Sequence, residues 1–138
     1  MELIKIEKGS ESPSELCREF HVQTMEYYEF VGFNEPWISY YLKDGVEIVG
    51  ICAFKGPPNS DNKVEIAYGT FEQFQGKGYG NKMCALLKDI ALACSGIIVT
   101  ARTLPQLSAS TSILTKNGFH CKGLVNDPED GEVWEWSL

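Results

Sequence analysis

The sequence has few histidines and no paired cysteines, which argues against a metal centre. Its 138 residues include two histidines, His21 and His120, and five cysteines at positions 17, 52, 84, 94 and 121. The cysteines are odd in number and form no Cys-x-x-Cys pair, so neither a zinc site nor a disulfide framework is indicated. We expect buried, reduced thiols and no metal. His21, on a predicted helix, is expected at the surface or its boundary rather than as a ligand.

Long apolar runs and an excess of positive charge are also missing. No segment approaches the ~20 apolar residues of a transmembrane helix, and residues 1–5 lack the basic and apolar regions of a secretion signal. The chain has 12 Lys and Arg against 19 Asp and Glu, a net charge of −7, whereas nucleic-acid binding needs surplus cations. We therefore expect a cytoplasmic protein without a membrane or nucleic-acid partner. Its acidic surface would tolerate a cationic amine substrate.

The first half of the chain reads as a strand, a helix and a hairpin within one domain that covers residues 1–138. Residues 2–7 predict a strand, and Ser12-Pro13 predicts a helix start that runs to about residue 31, as one helix or a pair. Residues 37–54 predict two strands around an Asp-Gly turn. Gly50, inside the second of these strands, indicates a bulge or a close backbone approach.

The second half predicts a strand at 64–71, a long helix, a strand at 97–101, a short helix at 108–117 and strands at 119–125 and 133–137. The long helix is indicated by helical spacing of Met83, Leu86, Leu87, Ile90, Ala91 and Cys94. The strand that follows it is expected to run parallel to a neighbour, which gives a mixed sheet. Hairpins with short turns do not resemble repeating βαβ units, so an α+β arrangement is indicated.

Residues 75–80, Gln-Gly-Lys-Gly-Tyr-Gly, form a glycine-rich turn between the central strand and the long helix. Its three glycines allow a tight bend and let main-chain N–H groups approach a ligand. The helix directs its positive end at the same place, so the turn predicts a site for a phosphate-bearing molecule. Neither the G-x-G-x-x-G fingerprint nor the P-loop pattern is matched. An ordinary glycine loop that joins strand to helix is the alternative.

The turn from Gln75 to Gly80 resembles the Gln/Arg-x-x-Gly-x-Gly/Ala motif of the GNAT N-acetyltransferase superfamily, which grips the pyrophosphate of acetyl-CoA. The segment from Leu104 to Phe119 is similar to the family's Asn-x-x-Ser helix that ends in Lys-x-Gly-Phe, with Ser108 at the asparagine position. The resemblance implies a GNAT-like α/β (α+β) domain, a mixed and mostly antiparallel sheet of about six to seven strands with about four helices. It implies acetyl-CoA as co-substrate, no metal, and a small-molecule or peptide amine as acceptor. A homodimer is left open.

By this resemblance, the cofactor is bound by the end of the central strand, the glycine-rich turn and the start of the late helix. These residues are Ala67, Tyr68, Gly69, Thr70, Gln75, Gly76, Lys77, Gly78, Tyr79, Gly80, Asn81, Ser108 and Ser110. Main-chain N–H groups at 67–70 would hydrogen-bond the pantetheine arm and could polarise the thioester carbonyl. Tyr68 itself is expected to pack in the core.

Acetyl transfer to an amine benefits from a base, because an ammonium has no lone pair. Glu65 lies near the position where many GNAT enzymes place a glutamate that acts directly or through water; the alternative is that it simply points to solvent. The family's acid, a tyrosine four residues before the glycine of Gly-Phe, corresponds to Leu114, so no acid is assigned. Cys84 and Cys94 fall on the buried helix face, which favours direct transfer in a ternary complex over a cysteine intermediate.

On the acceptor side, Trp37, Tyr40 and Tyr41 are candidates for an aromatic wall, and the acidic turn at 127–132 could attract a cation. Core packing and a solvated turn are the alternatives for these two groups. The leading hypothesis is an acetyl-CoA-dependent N-acetyltransferase. The other hypothesis is a non-catalytic acyl-CoA-binding or regulatory module of the same fold, which the missing tyrosine and asparagine would suit.

Overall fold

One seven-stranded mixed sheet organises the chain, and the computed structural model describes residues 1–138 in full. The strands are β1 (Glu2–Lys5), β2 (Ser39–Asp44), β3 (Glu47–Phe54), β4 (Lys63–Thr70), β5 (Ile98–Thr103), β6 (His120–Asp127) and β7 (Gly131–Ser137). The helices are α1 (Arg18–Val31), α2 (Tyr79–Leu92) and α3 (Ala109–Lys116), with a 3-10 turn at Glu72–Phe74. The predicted fold class is confirmed, with three α-helices instead of about four.

The sheet order is β1-β2-β3-β4-β5-β7-β6, and every neighbouring pair is antiparallel except β4 and β5. The parallel pair confirms the prediction for the strand after the long helix. A parallel connection needs a crossover, and α2 supplies it. Met83, Cys84, Leu87 and Ala91 of α2 are buried, which anchors the helix to one face of the sheet.

The start of α1 differs from the prediction. The Ser12 hydroxyl donates to the Ser14 carbonyl oxygen at 2.8 Å, and the helix begins at Arg18 without any side-chain cap. The segment around Ser12-Pro13 therefore forms turns, which accounts for the missing fourth helix. No helix in the structure combines the length and the apolar character that a membrane span requires.

His21 is buried, so its predicted place at the surface or boundary is wrong. One ring nitrogen, Nδ1, lies 2.8 Å from the Tyr41 hydroxyl, and the other, Nε2, lies 2.9 Å from the Ser10 carbonyl oxygen. These partners satisfy both ring nitrogens, as a buried polar group requires. The buried face of α1 is thus formed by His21, Thr24 and Tyr28, whereas the apolar side chains of Leu16, Phe20 and Tyr27 stay partly exposed.

Gly50 confirms the predicted irregularity in β3. The register between β2 and β3 shifts at this point, because Leu42 pairs with Gly50 and Lys43 pairs with Ile48. A Cβ at position 50 would also lie 2.7 Å from the Gly69 carbonyl oxygen and 2.9 Å from Cε of Met83. Glycine is therefore required here by the close approach of β4 and α2.

The five cysteines are all free thiols. Cys17, Cys52 and Cys84 are buried as expected, but Cys94 is only partly buried and Cys121 is exposed. Burial raises the pKa of the Cys84 thiol to about 11, although the nearby charge of Lys88 lowers it. That thiol is consequently protonated at neutral pH and poorly suited to act as a nucleophile.

Candidate active site

The strands β4 and β5 separate partway along their length, and the gap between them is the centre of the candidate site. Their parallel pairing runs from Lys63–Ile98 to Ile66–Ala101 and then stops. Beyond that point β4 continues to Thr70, paired on its other edge with β3, and β5 continues to Thr103, paired on its other edge with β7. One edge of the end of β4 is therefore left without a strand partner.

The hydrogen-bonding pattern identifies which main-chain groups face this gap. The Glu65 carbonyl oxygen accepts from Lys55, and the Phe71 N–H donates to Val49, so odd-numbered residues of β4 bond to β3. Because successive residues of a strand point their main-chain N–H and C=O groups to opposite edges, Tyr68 and Thr70 direct theirs toward the gap. The Thr70 carbonyl oxygen already accepts from the Gln75 side-chain amide at 3.4 Å. Of the four main-chain N–H groups predicted at 67–70, two thus face the gap.

The glycine-rich turn lies beside this gap and has free donors. Gly76 and Gly78 have φ values of +81° and +84°, a conformation that glycine adopts without strain. The N–H groups of Gly76, Lys77 and Gly78 donate to no acceptor within the protein, and the first N–H groups of α2 have no partner inside the helix. Gly78 precedes α2 without any side-chain cap. The turn is therefore suited to binding an anion.

A pocket of about 530 Å³, here called the glycine-loop pocket, joins the turn to the gap and to α3. It brings together ten of the thirteen residues predicted to bind the cofactor: Tyr68, Gly69, Thr70, Gln75, Gly76, Gly78, Tyr79, Gly80, Asn81 and Ser110. Gly80 has a different role from its neighbours, since a Cβ there would lie 2.8 Å from Cδ1 of Ile113. It permits the close packing of α2 against α3, while Gly76 and Gly78 shape the turn.

Three predicted residues lie outside this pocket. Ala67 lies under α1, the Lys77 side chain does not line the pocket, and Ser108 lines an adjoining pocket of about 520 Å³. The Ser108 hydroxyl accepts from the Thr111 N–H at 3.3 Å in a capping box, so the start of α3 already uses it. Sequence reasoning missed Ala109, Ile113 and Lys116, which line the pocket. Their spacing along one helical face was the signal that could have found them.

A second cavity, the α1 cleft, lies between α1 and the opposite face of β3 and β4. It has a volume of about 330 Å³, and its floor carries Ala53, Ala67 and Gly69, with Phe20 and Tyr27 of α1 as walls. Alternate residues of a strand point to opposite faces, and Gly50 is packed against Met83 of α2 on the other side. The α1 cleft and the glycine-loop pocket both include Tyr68 and Gly69. The two cavities therefore meet at the end of β4.

Glu65 lies in an ion-pair network on β4. Its Oε2 is 3.1 Å from Nζ of Lys55 and its Oε1 is 3.8 Å from Nε of Arg102, while Arg102 also contacts Asp127 at 3.0 Å. Glu65 lines a small pocket of about 190 Å³ with Lys55 and Arg102, and it lines neither of the two cavities that meet at Gly69. Its role as base stays a prediction. Its side chain is only 22% exposed, so the simple solvent-facing alternative does not describe it.

Two charged partners of this network have shifted pKa values. Burial lowers the pKa of Lys55, but attraction and hydrogen bonding to Glu65, together with the charges of Asp127 and Glu129, outweigh it, and the net pKa is raised. The pKa of Asp127 is lowered to about 2, chiefly by the main-chain N–H of Glu129 and by hydrogen bonding from Arg102. Both groups are therefore charged at neutral pH. The first carboxylate of the acidic turn at 127–132, that of Asp127, is thus already bound by groups of the protein itself.

Tyr68 is half-buried at the junction of the two cavities. Its hydroxyl donates to the Ser110 carbonyl oxygen across a long 3.3 Å contact, and it thereby joins β4 to the start of α3. Burial, with a smaller contribution from Cys84, raises the pKa of its phenol. The phenol is therefore protonated at neutral pH and can act as a hydrogen-bond donor inside the site.

The predicted aromatic wall is wrong for two of its three members. Tyr40 and Tyr41 are each 3% exposed and belong to the core. Trp37 packs edge-on against Phe54 at 5.1 Å between ring centroids. The aromatic walls of the α1 cleft come from Phe20 and Tyr27 instead. No group of three or more His, Cys, Asp or Glu side chains in the structure could hold a metal ion.

The chain is similar to known proteins in family and in structure. A family model described as an acetyltransferase (GNAT) domain matches residues 8–120. No curated protein sequence matches the chain. Among solved structures, the chain is similar to the microcin C7 self-immunity acetyltransferase MccE in complex with acetyl-CoA and AMP. The two share 19% identity over 87% of this chain and 68% of that chain, with a TM-score of 0.67.

Two further solved structures are similar in fold. The ribosomal-protein-alanine N-acetyltransferase from Brucella melitensis is 18% identical over 87% of this chain and 76% of that chain, with a TM-score of 0.67. The yncA protein from Salmonella typhimurium, solved with its cofactor acetyl-CoA, is 21% identical over 87% of this chain and 72% of that chain, with a TM-score of 0.66. At these identities the likeness concerns the fold.

Proposed function

Because the chain belongs to the GNAT acetyltransferase family, we propose that it is a single-domain N-acetyltransferase spanning residues 1–138. It transfers an acetyl group from acetyl-CoA to a primary amine of a small molecule or peptide. The observation that carries this proposal is that the glycine-loop pocket and the α1 cleft share Tyr68 and Gly69. Two reactants that enter from opposite faces of the sheet meet there, as direct transfer in a ternary complex requires.

The residues of the glycine-loop pocket fit a coenzyme A ligand. The free N–H groups of Gly76, Lys77 and Gly78 and the first turn of α2 are suited to the diphosphate, and Lys116 adds a positive charge on the far wall. The gap-facing main-chain groups of Tyr68 and Thr70 are suited to the amides of the pantetheine arm. When bound, acetyl-CoA supplies the acetyl group as a reactive thioester.

Acetyl transfer requires the protein to accept one proton from the amine and to stabilise the charge that develops during the reaction. The amine nitrogen forms a bond to the acetyl carbon, the carbon–sulfur bond breaks, and the amine loses a proton. The Tyr68 hydroxyl lies 3.3 Å from the Ser110 carbonyl oxygen in the glycine-loop pocket, and it can turn from this long contact to donate to the departing sulfur. We retain Glu65 as the base; four strand residues place it about 13 Å from Gly69, so the amine proton would reach it through a chain of several waters. The protonated, buried thiol of Cys84 supports direct transfer.

Acetyl-CoA is expected to stabilise the protein before any amine is added. A ligand that binds only the folded state adds about 2.7 kcal/mol of stability at a hundredfold excess over its dissociation constant. Calorimetric titration and thermal unfolding with acetyl-CoA and CoA measure this, and mass spectrometry of an amine panel measures turnover. Absence of binding would contradict the proposal, and binding without turnover on any amine would support the non-catalytic module.

The Glu65→Gln variant is expected to lose about tenfold in kcat/KM, below the usual ~10²–10⁴ for a direct base because the proton moves through water. Coenzyme affinity should stay within about threefold, since Glu65 lies outside the glycine-loop pocket. Steady-state kinetics and calorimetry on the same sample separate the two quantities. The matched control is Glu132→Gln, the same charge change at an exposed position near the start of β7. Unchanged kinetics for Glu65→Gln would remove Glu65 from the mechanism.

A further inference from the structure

The α1 cleft has a chemical character that selects among amines. We infer that it takes a primary monoamine with an apolar aryl or alkyl body and discriminates against diamines and polyamines. This inference rests on the proposed function, since it names the acceptor class for the same site. It is carried by the lining of the cleft, in which apolar groups predominate and no carboxylate occurs.

The shape of the cleft suits a flat apolar body. Ala53 and Ala67 face each other across the β3–β4 pair, and Ile51 pairs with Gly69 one step along. Small side chains on the floor leave room between the sheet and α1, and a Cβ at position 69 would meet no atom within 4 Å. Phe20 stacks on Phe71 with ring centroids 5.0 Å apart, which fixes one aromatic wall. An acceptor with an apolar body would bury that surface favourably.

The charges near the cleft do not favour a second ammonium group. Lys55 is the only charged residue that lines the cleft. Of the carboxylates around the cleft, Glu65 has its oxygens occupied by Lys55 at 3.1 Å and Arg102 at 3.8 Å, and Glu129 lies outside the cleft lining. A diamine acetylated at Gly69 would therefore carry its distal ammonium past apolar walls toward a lysine. A buried charge without a partner is strongly unfavourable, so the distal ammonium lowers the affinity.

The same apolar lining assists the reacting amine. Removing an ammonium from water into an apolar cleft disfavours its charged form. The reacting nitrogen is thereby presented as the neutral amine, which is the form that can attack the thioester. A monoamine gains from this environment, whereas a diamine has a second nitrogen that cannot react and must still be desolvated.

The test uses two acceptors of nearly equal shape, para-methylbenzylamine and para-xylylenediamine. The first carries a methyl group where the second carries an aminomethyl group. At saturating acetyl-CoA, we expect kcat/KM to be at least roughly tenfold higher for the monoamine, after correction for the two equivalent amines of the diamine. Titration of the CoA complex with each amine measures acceptor binding alone, because CoA carries no acetyl group to transfer. The same preference is expected there.

The Gln23→Glu variant makes the test specific to the cleft. Gln23 lines the cleft from α1, and glutamate has nearly the same shape, so the change adds only a carboxylate. We expect the preference for the monoamine to fall at least roughly fivefold, because the new charge can pair with the distal ammonium. The Gln106→Glu variant, with the same substitution in the β5–α3 loop outside the cleft, should keep the wild-type preference.

The outcomes separate this inference from the proposed function. Acetylation of both amines with equal efficiency, or a preference for the diamine, would overturn the inference and leave the acetyltransferase proposal intact. Selective binding of the monoamine to the CoA complex without any turnover would support the inference about the cleft and contradict the proposed activity. A preference that stays unchanged in Gln23→Glu would place the acceptor outside the α1 cleft and overturn the inference.

Discussion

The Gly78→Asp variant is expected to lose at least about a hundredfold in acetyl-CoA affinity while remaining folded. Gly78 has a φ of +84° and open space around the position of a Cβ. Aspartate tolerates this left-handed conformation better than most residues, so the turn can keep its shape. Its carboxylate would lie within a few ångströms of the diphosphate, where repulsion is on the order of 3 kcal/mol, or roughly a hundredfold in dissociation constant. Calorimetric titration with acetyl-CoA measures the loss.

Gly96→Asp is the matched control for this change. Gly96 follows α2 with a φ of +78° and also has no atom within 4 Å of a Cβ. Both variants therefore carry the same added charge and a similar backbone cost, but only one lies in the glycine-rich turn. Equal loss of affinity in the two variants, or wild-type affinity in a folded Gly78→Asp protein, would show that the turn does not hold the diphosphate. A Gly78→Asn variant separates the contribution of charge from that of the side chain's volume.

The glycine-rich turn was predictable because its signal is local. Residues 75–80 follow a β-strand pattern and precede a helical one, and positive φ values at Gly76 and Gly78 are a property that glycine alone adopts readily. The long helix was similarly predictable, since Met83, Leu87 and Ala91 share one face at helical spacing and are buried. The parallel order of β4 and β5 followed from the helix between them.

The α1 region could not be predicted because its determinants are distant in sequence. His21 is buried by partners at Tyr41 and Ser10, and the Tyr28 hydroxyl donates to the Ile6 carbonyl oxygen. These hydrogen bonds bury a largely polar face of α1 and leave Phe20 and Tyr27 partly exposed along the α1 cleft. Amphipathic periodicity assumes an apolar buried face, so the helix was predicted correctly but His21 was wrongly placed at the surface or its boundary.

The candidate site shows the same division between local and long-range signals. The gap beside Tyr68 depends on where β4 and β5 stop pairing, and the floor of the α1 cleft depends on Ala53 lying opposite Ala67. Both depend on strand register. Hydrophobic alternation fixes which face of the sheet a residue lies on, but it does not fix which residue lies opposite it on the neighbouring strand. Glu65 was proposed from its place in the chain, but its partners are Lys55, directly after β3, and Arg102 of β5. Their pairing explains why a charged group is held on a largely covered strand.

The Gly69→Val variant is expected to lose about a hundredfold or more in kcat/KM for amines while its stability stays near that of the wild type. Gly69 has an ordinary extended backbone and no atom within 4 Å of a Cβ, and valine suits a strand. The branched side chain would stand on the floor of the α1 cleft, where the cleft meets the glycine-loop pocket. A displacement of about 1 Å between reacting atoms can cost about a hundredfold in rate. Steady-state kinetics and urea unfolding measure the two quantities.

Gly50→Ala provides the converse control, because its methyl group would enter the opposite face of the same strand pair. A Cβ there lies 2.7 Å from the Gly69 carbonyl oxygen and 2.9 Å from Cε of Met83, so overpacking should cost about 1–3 kcal/mol of unfolding free energy. Gly69→Val should thus impair catalysis without unfolding, and Gly50→Ala should lower stability first. If Gly69→Val acetylated amines at the wild-type rate, the amine would have to approach the thioester from a direction other than the α1 cleft. The geometry that joins the two cavities at the end of β4 would then have no part in the reaction.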